Sequence, residues 1–315
     1  MSSQKRTPLK TVVVRTIKVI LVALILYYLF RKVESHWVDI SSYHWQVRPL
    51  YLIFSVLVGQ VTFWLFSYNW RILMAGFGHD ISPARAFRIS YVSNMGRYIP
   101  GKFWQFLGVI YMTRKQGIPP EQAASSVVLI QLFAIPASFL VFVLGSQLEP
   151  RVLVDQVALL GSNSAILMTV VMLAACIMIV IWPQKVLALG NKVLKRFGRE
   201  PVVFQMDKSV ALLILVGYCL AWVGYGLAFW LFLRAVMVNP TAGPIASIAI
   251  FNAAYQIGYL VLFAPGGFGP RELAMGALLT PFAGAALAPA LAIVARLWAM
   301  LVEVTAAAIA LSIRK

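Results

Sequence analysis

Asn94-Met-Gly-Arg-Tyr-Ile-Pro-Gly-Lys-Phe-Trp104 sets two cations, Arg97 and Lys102, on either side of a Pro-Gly break inside an apolar run. Proline removes a backbone donor and glycine loosens the chain, so Pro100-Gly101 ends one helix and begins another. A second break, Ala264-Pro-Gly-Gly-Phe-Gly-Pro-Arg-Glu272, shares the Pro-Gly-x-Phe core. Backbone left unpaired in hydrocarbon costs several kcal/mol per group, so such breaks survive only where protein or a watery cavity surrounds them. Both breaks are therefore expected to point inward, toward a shared cavity.

The composition around them sets the class. Of 315 residues, 61% are hydrophobic and 12% charged. A soluble domain is near half apolar and about one quarter charged. The chain reads as an integral membrane protein, and the mean hydropathy of +0.84 agrees. The net charge of +17 would suit nucleic acid, but the cations lie in short loops between apolar runs, so no nucleic-acid partner is expected. Cys176 and Cys219 sit within apolar segments, and His36, His44 and His79 form no metal-ligand spacing. No cofactor or metal is predicted, and no catalytic residue. The five cations before the first apolar run resemble a signal peptide, but no small-residue cleavage site follows, so the run reads as a retained anchor.

A spanning helix needs about 20 mostly apolar residues. Six segments qualify: roughly 16–33, 49–70, 122–147, 164–182, 209–234 and 287–312. The stretches 84–113 and 244–281 are each cut near the middle, and each half is too short to cross. They read as re-entrant hairpins. With the N-terminus inside, 20 of the 27 Lys and Arg fall on the cytoplasmic side, which fits the positive-inside bias and puts both termini in the cytoplasm. Residues 183–208 read as an interfacial amphipathic helix.

A shift of 165 residues lays Pro100-Gly101-Lys102-Phe103 on Pro265-Gly266-Gly267-Phe268, with Gly59 on Gly224 and Ser82 on Ser247. The order span, broken hairpin, span recurs at that offset, and three crossings separate the two units. The fold class expected is an all-α polytopic membrane protein, with about six spans and two broken re-entrant hairpins arranged as inverted repeats. Residues 1–315 form one transmembrane domain, with 1–48 as anchor helix and outer loop, repeat 1 over about 49–147 and repeat 2 over about 209–312. Inverted repeats with interrupted helices are a recurrent transporter design, with the substrate near the breaks.

The candidate substrate-binding residues follow from this. Helix starts bind anions, which points to Asn94, Arg97, Pro100, Gly101 and Lys102 at the first break. Pro265, Gly266, Gly267, Gly269, Arg271 and Glu272 belong to the second, where Pro270 is placed to start a helix. Arg296 and Glu303 share a face of the last span. Ionisable groups at that depth are costly; they serve as ion pairs (Arg296 with Glu272, or Glu303 with Arg271) or in proton coupling. Gln131 occupies the place equivalent to Arg296 in the repeat. Asn252, Tyr255, Gln256 and Tyr259 add polar groups at near-helical spacing. Tyr98, Phe103, Trp104 and Phe106 read as anchors at the membrane interface.

Asn94-x-x-Arg97-x-x-Pro100-Gly101-Lys102, followed by Pro265-Gly-Gly-Phe-Gly-Pro-Arg-Glu272, resembles the transmembrane, flippase-like domain of the lysylphosphatidylglycerol synthase family, over nearly the whole chain. The resemblance implies a bacterial or archaeal cytoplasmic-membrane protein. Such a protein moves a phospholipid or polyprenyl-phosphate-linked lipid between leaflets. The carried-over positions are Arg97, Pro100, Gly101, Lys102, Pro265, Gly266, Gly267, Gly269 and Glu272. The family's aminoacyl-transferase domain is absent from this sequence, so lysyl transfer is not expected and the chain is not read as an enzyme. Two alternatives stand beside transport. One is a membrane enzyme on lipid-linked glycan or phospholipid substrates; the other is an accessory subunit of a glycosyltransferase or lipid-modifying enzyme.

Overall fold

Proline punctuates the fold. Six helices begin on one, at Pro49, Pro83, Pro120, Pro183, Pro244 and Pro270, where the missing N–H costs nothing and the fixed φ suits a first turn. The computed structural model describes residues 27, 30–31, 33–98, 103–153, 163–196, 206–261 and 264–313. The expected anchor over 16–33 lies almost wholly outside the described residues. So do Pro100, Gly101 and Lys102.

A short helix α1 (Trp37–Ser42) leads to α2 (Pro49–Gly76). Next come α3 (Pro83–Asn94), a 3-10 turn (Met95–Tyr98) and α4 (Phe103–Arg114). α5 (Pro120–Leu148) is followed by α6 (Asn163–Ile181) and α7 (Pro183–Arg196). α8 (Lys208–Val236), α9 (Pro244–Leu260), a 3-10 turn (Pro265–Gly267) and α10 (Pro270–Ser312) complete the chain. No strand occurs among the described residues. α10 is two helices in series, because Gly284 breaks it with φ 78° and ψ 161°.

Among the described residues, four helices are long and apolar enough to cross a bilayer: α2, α5, α8 and α10. The protein is thus an all-helical, multi-pass membrane protein. Of the other expected spans, 164–182 is the shorter helix α6, and 287–312 is the part of α10 beyond Gly284.

The burial pattern agrees with a lipid solvent. α2 exposes Leu50, Ile53, Phe54, Leu57 and Val61 along one side. Its buried side carries Ser55, Gln60, Thr62, Ser67 and Asn69. In water that orientation would be reversed. In lipid, apolar faces gain nothing by meeting each other, so small and polar residues line the contacts. Ser55 donates to the Ala228 carbonyl at 2.7 Å, and Gln60 to that of Val302 at 2.9 Å. The most extensive packing joins α2 to α8. There a Cβ on Gly224 would stand 2.6 Å from Thr62 Oγ1, a contact only glycine allows. Trp298 of α10 packs among Tyr225, Phe229 and Phe232 of α8 and Phe251 of α9, at centroid distances of 5.2–6.0 Å.

Polar contacts gather at two poles. At one, Arg71 reaches Asp80 at 2.9 Å, Arg85 of α3 donates to Gln116 beyond α4 at 3.2 Å, and His79 bonds Gln122. At the other, the Arg48 backbone donates to Ala235 at 2.9 Å, and Thr241 before α9 donates to the Phe282 carbonyl at 2.6 Å. α7 forms as the amphipathic spacing predicts, with Lys195 and Arg196 in its last turn.

Candidate functional site

The turn before the first break meets the turn of the second inside the helix bundle. The Met95–Tyr98 turn packs against the Pro265–Gly267 turn, and α3 packs against α10. α10 supplies two charges from its inner face, Arg296 at 5% exposure and Glu303 at 1%, while Leu297, Leu301 and Val304 face outward. The seven-residue spacing puts both charges on one side, as two helical turns require.

Glu303 is held from the first half of the chain. Arg97 Nη1 donates to its Oε1 at 2.8 Å, and the Tyr98 hydroxyl donates to its Oε2 at 2.5 Å. Arg97 Nη2 donates to the Tyr255 hydroxyl of α9 at 2.8 Å. The pairing of Glu303 with Arg271 considered from sequence does not form; Arg97 takes the carboxylate instead. Spacing along α10 fixes the face that Glu303 occupies, but not which neighbouring element faces it.

The second break builds its own network. Gly266, Gly267 and Gly269 have φ of 57°, 75° and 90°, the left-handed region. A Cβ on Gly267 would lie 2.8 Å from the Gly258 carbonyl oxygen. The turn frees the Gly266 carbonyl to accept from Arg296 Nη2 at 2.8 Å. Pro270 starts α10 as expected, and Glu272 at its third position accepts from the Gly269 N–H at 2.6 Å, half of a capping box. Glu272 Oε1 lies 3.6 Å from Arg296 Nε, so the Arg296–Glu272 pair does form. At that distance it is a charge contact without a hydrogen bond. Arg296 also lies 4.3 Å over the Phe268 ring.

Arg271 is different. It is 5% exposed, yet has no carboxylate partner among the described residues. Its guanidinium lies over the rings of Phe251 at 5.1 Å and Tyr255 at 4.7 Å. Cation–π contacts of this kind contribute roughly 0.5–2 kcal/mol, far less than a buried charge loses on leaving water. The described cluster therefore holds three guanidiniums (Arg97, Arg271, Arg296) against two carboxylates (Glu272, Glu303), one cation in excess.

Two cavities flank the cluster. The smaller, about 370 Å³ including its mouth, is bounded by Arg97, Arg271, Gly258, Gly266 and Gly267. The larger, about 1040 Å³ including its mouth, reaches Asn94, Arg97 and Glu303. Arg97 and Tyr255 belong to both. Of the residues selected from sequence, Asn94, Arg97, Gly266, Gly267, Arg271 and Glu303 thus face cavity space. Glu272, Gly269 and Arg296 brace the second break.

A family model described as lysylphosphatidylglycerol synthase TM region matches residues 15–307. The chain belongs to that family. No curated protein matches it. Membership covers nearly the whole chain, so this member of the lysylphosphatidylglycerol synthase TM family is a lipid-related membrane protein.

Sequence reasoning misplaced some residues of this family member and overlooked others. Tyr98 is no interfacial anchor; it seals the Glu303 carboxylate. Phe106 lines the larger cavity, whereas Trp104 is half-exposed, as an anchor would be. Tyr255 is the hub between Arg97 and Arg271, and the polar spacing of α9 did mark it. Asn252 of that set is structural, bonding Ser138 at 2.9 Å and the Ile248 carbonyl at 2.8 Å. Gln131 faces the larger cavity, whereas Arg296, 165 residues on, faces neither cavity. Tyr225 carried no signal, since an aromatic within an apolar span reads as core.

Proposed function

We propose that this protein is a lipid flippase of the cytoplasmic membrane, moving a phospholipid or polyprenyl-phosphate-linked lipid between leaflets. The observation that carries the reading is the buried cation in excess, Arg271, beside Arg97 on a cavity wall. A buried charge without a counter-charge is costly, and an anionic headgroup would supply one. Tails would stay in the bilayer while the headgroup crosses through the protein.

The architecture supports the same reading. The ends of the first broken pair lie together, since Arg85 reaches Gln116. The ends of the second lie together at the opposite pole, where Thr241 reaches Phe282. Two re-entrant hairpins entering from opposite sides would have this arrangement, which supports the reading. α5 spans Pro120–Leu148, and a shift of 165 lays it on 285–313, close to the helix that runs from the Gly284 break to Ser312. In this scheme the two units are inverted repeats within a six-span topology, both termini are cytoplasmic, and rocking of one unit against the other alternates access. Glu272 and Glu303 are the candidates for proton coupling.

The test is lipid movement in proteoliposomes, followed with a short-chain fluorescent phosphatidylglycerol. Arg97→Ala combined with Glu303→Gln removes the pair without stranding a buried carboxylate. The double variant should slow headgroup-dependent movement at least about tenfold, the equivalent of about 1.4 kcal/mol. Unchanged movement in a correctly folded double variant would sink the assignment.

A further inference from the structure

The larger cavity has an unusual wall. Ten of its lining residues are aromatic, seven are Ser, Asn or Gln, and four are aliphatic; Arg97 and Glu303 complete it. A site for acyl or prenyl chains would be aliphatic, and a site for phosphate alone would be cationic. Aromatic rings interleaved with amides and hydroxyls suit a ligand that is apolar on its ring faces and polar at its edges.

Two polar groups in this wall have nothing to bond. Among the described residues the Tyr225 hydroxyl, on a side chain 1% exposed, has no hydrogen-bond partner, and neither does Gln256 Oε1, on a side chain 2% exposed. Leaving such a group unsatisfied costs about 1–3 kcal/mol. The two residues come from different helices, α8 and α9, and both line the same cavity. Gln256 Oε1 can only accept, so its missing partner is a donor. The Tyr225 hydroxyl can donate or accept. A hydroxyl group on a ligand answers both.

A cationic headgroup fits poorly. The single carboxylate on the wall, Glu303, already accepts from Arg97 and Tyr98. An ammonium group would have to displace the Arg97 guanidinium from that carboxylate.

We propose that the larger cavity recognises a polyhydroxylated headgroup, a sugar or cyclitol ring on a phosphate, with its hydroxyls bonded to Tyr225 and Gln256. This rests on the lipid-binding part of the function proposed above. The phosphate lies at the Arg97 end, shared with the smaller cavity and Arg271, while the ring occupies the aromatic wall. A site built to bond hydroxyls rejects the analogue that lacks them far more strongly than an apolar pocket rejects a size change.

The experiment compares phosphodiester lipids of equal charge on the purified full chain. Phosphatidylethanol has no headgroup hydroxyl, phosphatidylglycerol has a short diol, and phosphatidylinositol has a ring of hydroxyls. Binding is read by native mass spectrometry under competition. Phosphatidylinositol is expected to outcompete phosphatidylethanol about tenfold or more, with phosphatidylglycerol between. Tyr225→Phe and Gln256→Leu should each pull that ratio toward one by weakening the inositol lipid. Tyr225→Phe removes a hydroxyl that bonds nothing in the unliganded protein, so it retains the fold and decides the matter if Gln256→Leu does not fold. Equal binding of the three lipids, or a ratio indifferent to Tyr225→Phe, overturns the proposal. Movement of all three lipids without preference would leave transport standing and remove this inference. Preference without movement would support this inference and remove transport.

Discussion

Glu303 ties the first half of the chain to the last helix. It is buried at 1% exposure and accepts from a guanidinium and a phenol, both contributed by the turn after α3. Removing one partner of a buried pair leaves the other charge stranded, at a cost of about 3–5 kcal/mol. Arg97→Met is therefore expected to depress the unfolding midpoint in detergent strongly. Adding Glu303→Gln to it should restore part of the loss, a double-mutant cycle far from additive. Additive losses would mean that the pair contributes no coupling. The ionisable members of this cluster were legible in the sequence, because charges inside apolar runs stand out against their surroundings. Their pairing was not. A residue's neighbours on its own helix follow from a periodicity of 3.6, but the partner across a bundle depends on how helices dock. Tyr98 was misread for a related reason: an aromatic beside a break has the same local pattern whether it meets headgroups or a buried carboxylate.

At the level of elements, the glycines of the second break hold its geometry. Gly267 combines φ 75° with a Cβ position 2.8 Å from the Gly258 carbonyl. Gly267→Ala should cost about 1–3 kcal/mol from backbone strain alone, with the clash added. Gly284 gives a cleaner comparison. Its φ of 78° also strains an alanine, but a Cβ there meets nothing within 4 Å. Gly284→Ala should therefore destabilise less than Gly267→Ala in the same melting assay, and the reverse order would show that the kink in α10 matters more than the turn. Both breaks were legible, since Pro-Gly pairs interrupt otherwise continuous apolar runs. The join of two helices at Gly284 was partly so: the apolar stretches ending near 281 and starting near 287 leave it between them. The inner and outer faces of α2 were not legible. In a membrane helix both faces are apolar enough to hide the difference, and Ser55, Gln60 and Thr62 gave no periodicity strong enough to mark the buried side.

For the whole molecule, the two poles define a sidedness that labelling can read. With Cys176 and Cys219, both free thiols, replaced first, single cysteines are introduced at Asp80, Gln116, Arg151 and Thr241. The inverted scheme requires Asp80 and Gln116 to react from one side of the membrane and Arg151 and Thr241 from the other. Labelling of Gln116 and Thr241 from the same side would exclude it. The 165-residue offset was the sequence's largest-scale signal, and it pointed to the two helix pairs that now meet at their tips. How the two pairs dock was beyond it, because an offset along the chain says nothing of contacts across the bundle. The tip contact has a further consequence. Arg97 and Tyr98 belong to the turn after α3, and Glu303 and Tyr255 to α10 and α9 in the other half of the chain, so withdrawing that turn breaks all three bonds at once. These three bonds form one latch between the two halves of the chain. If transport follows the scheme proposed above, the shut latch keeps ions from leaking across the membrane. A protein whose latch is cut, as in Glu303→Ala, should let a membrane-impermeant ion pass through liposomes that the unaltered protein keeps sealed.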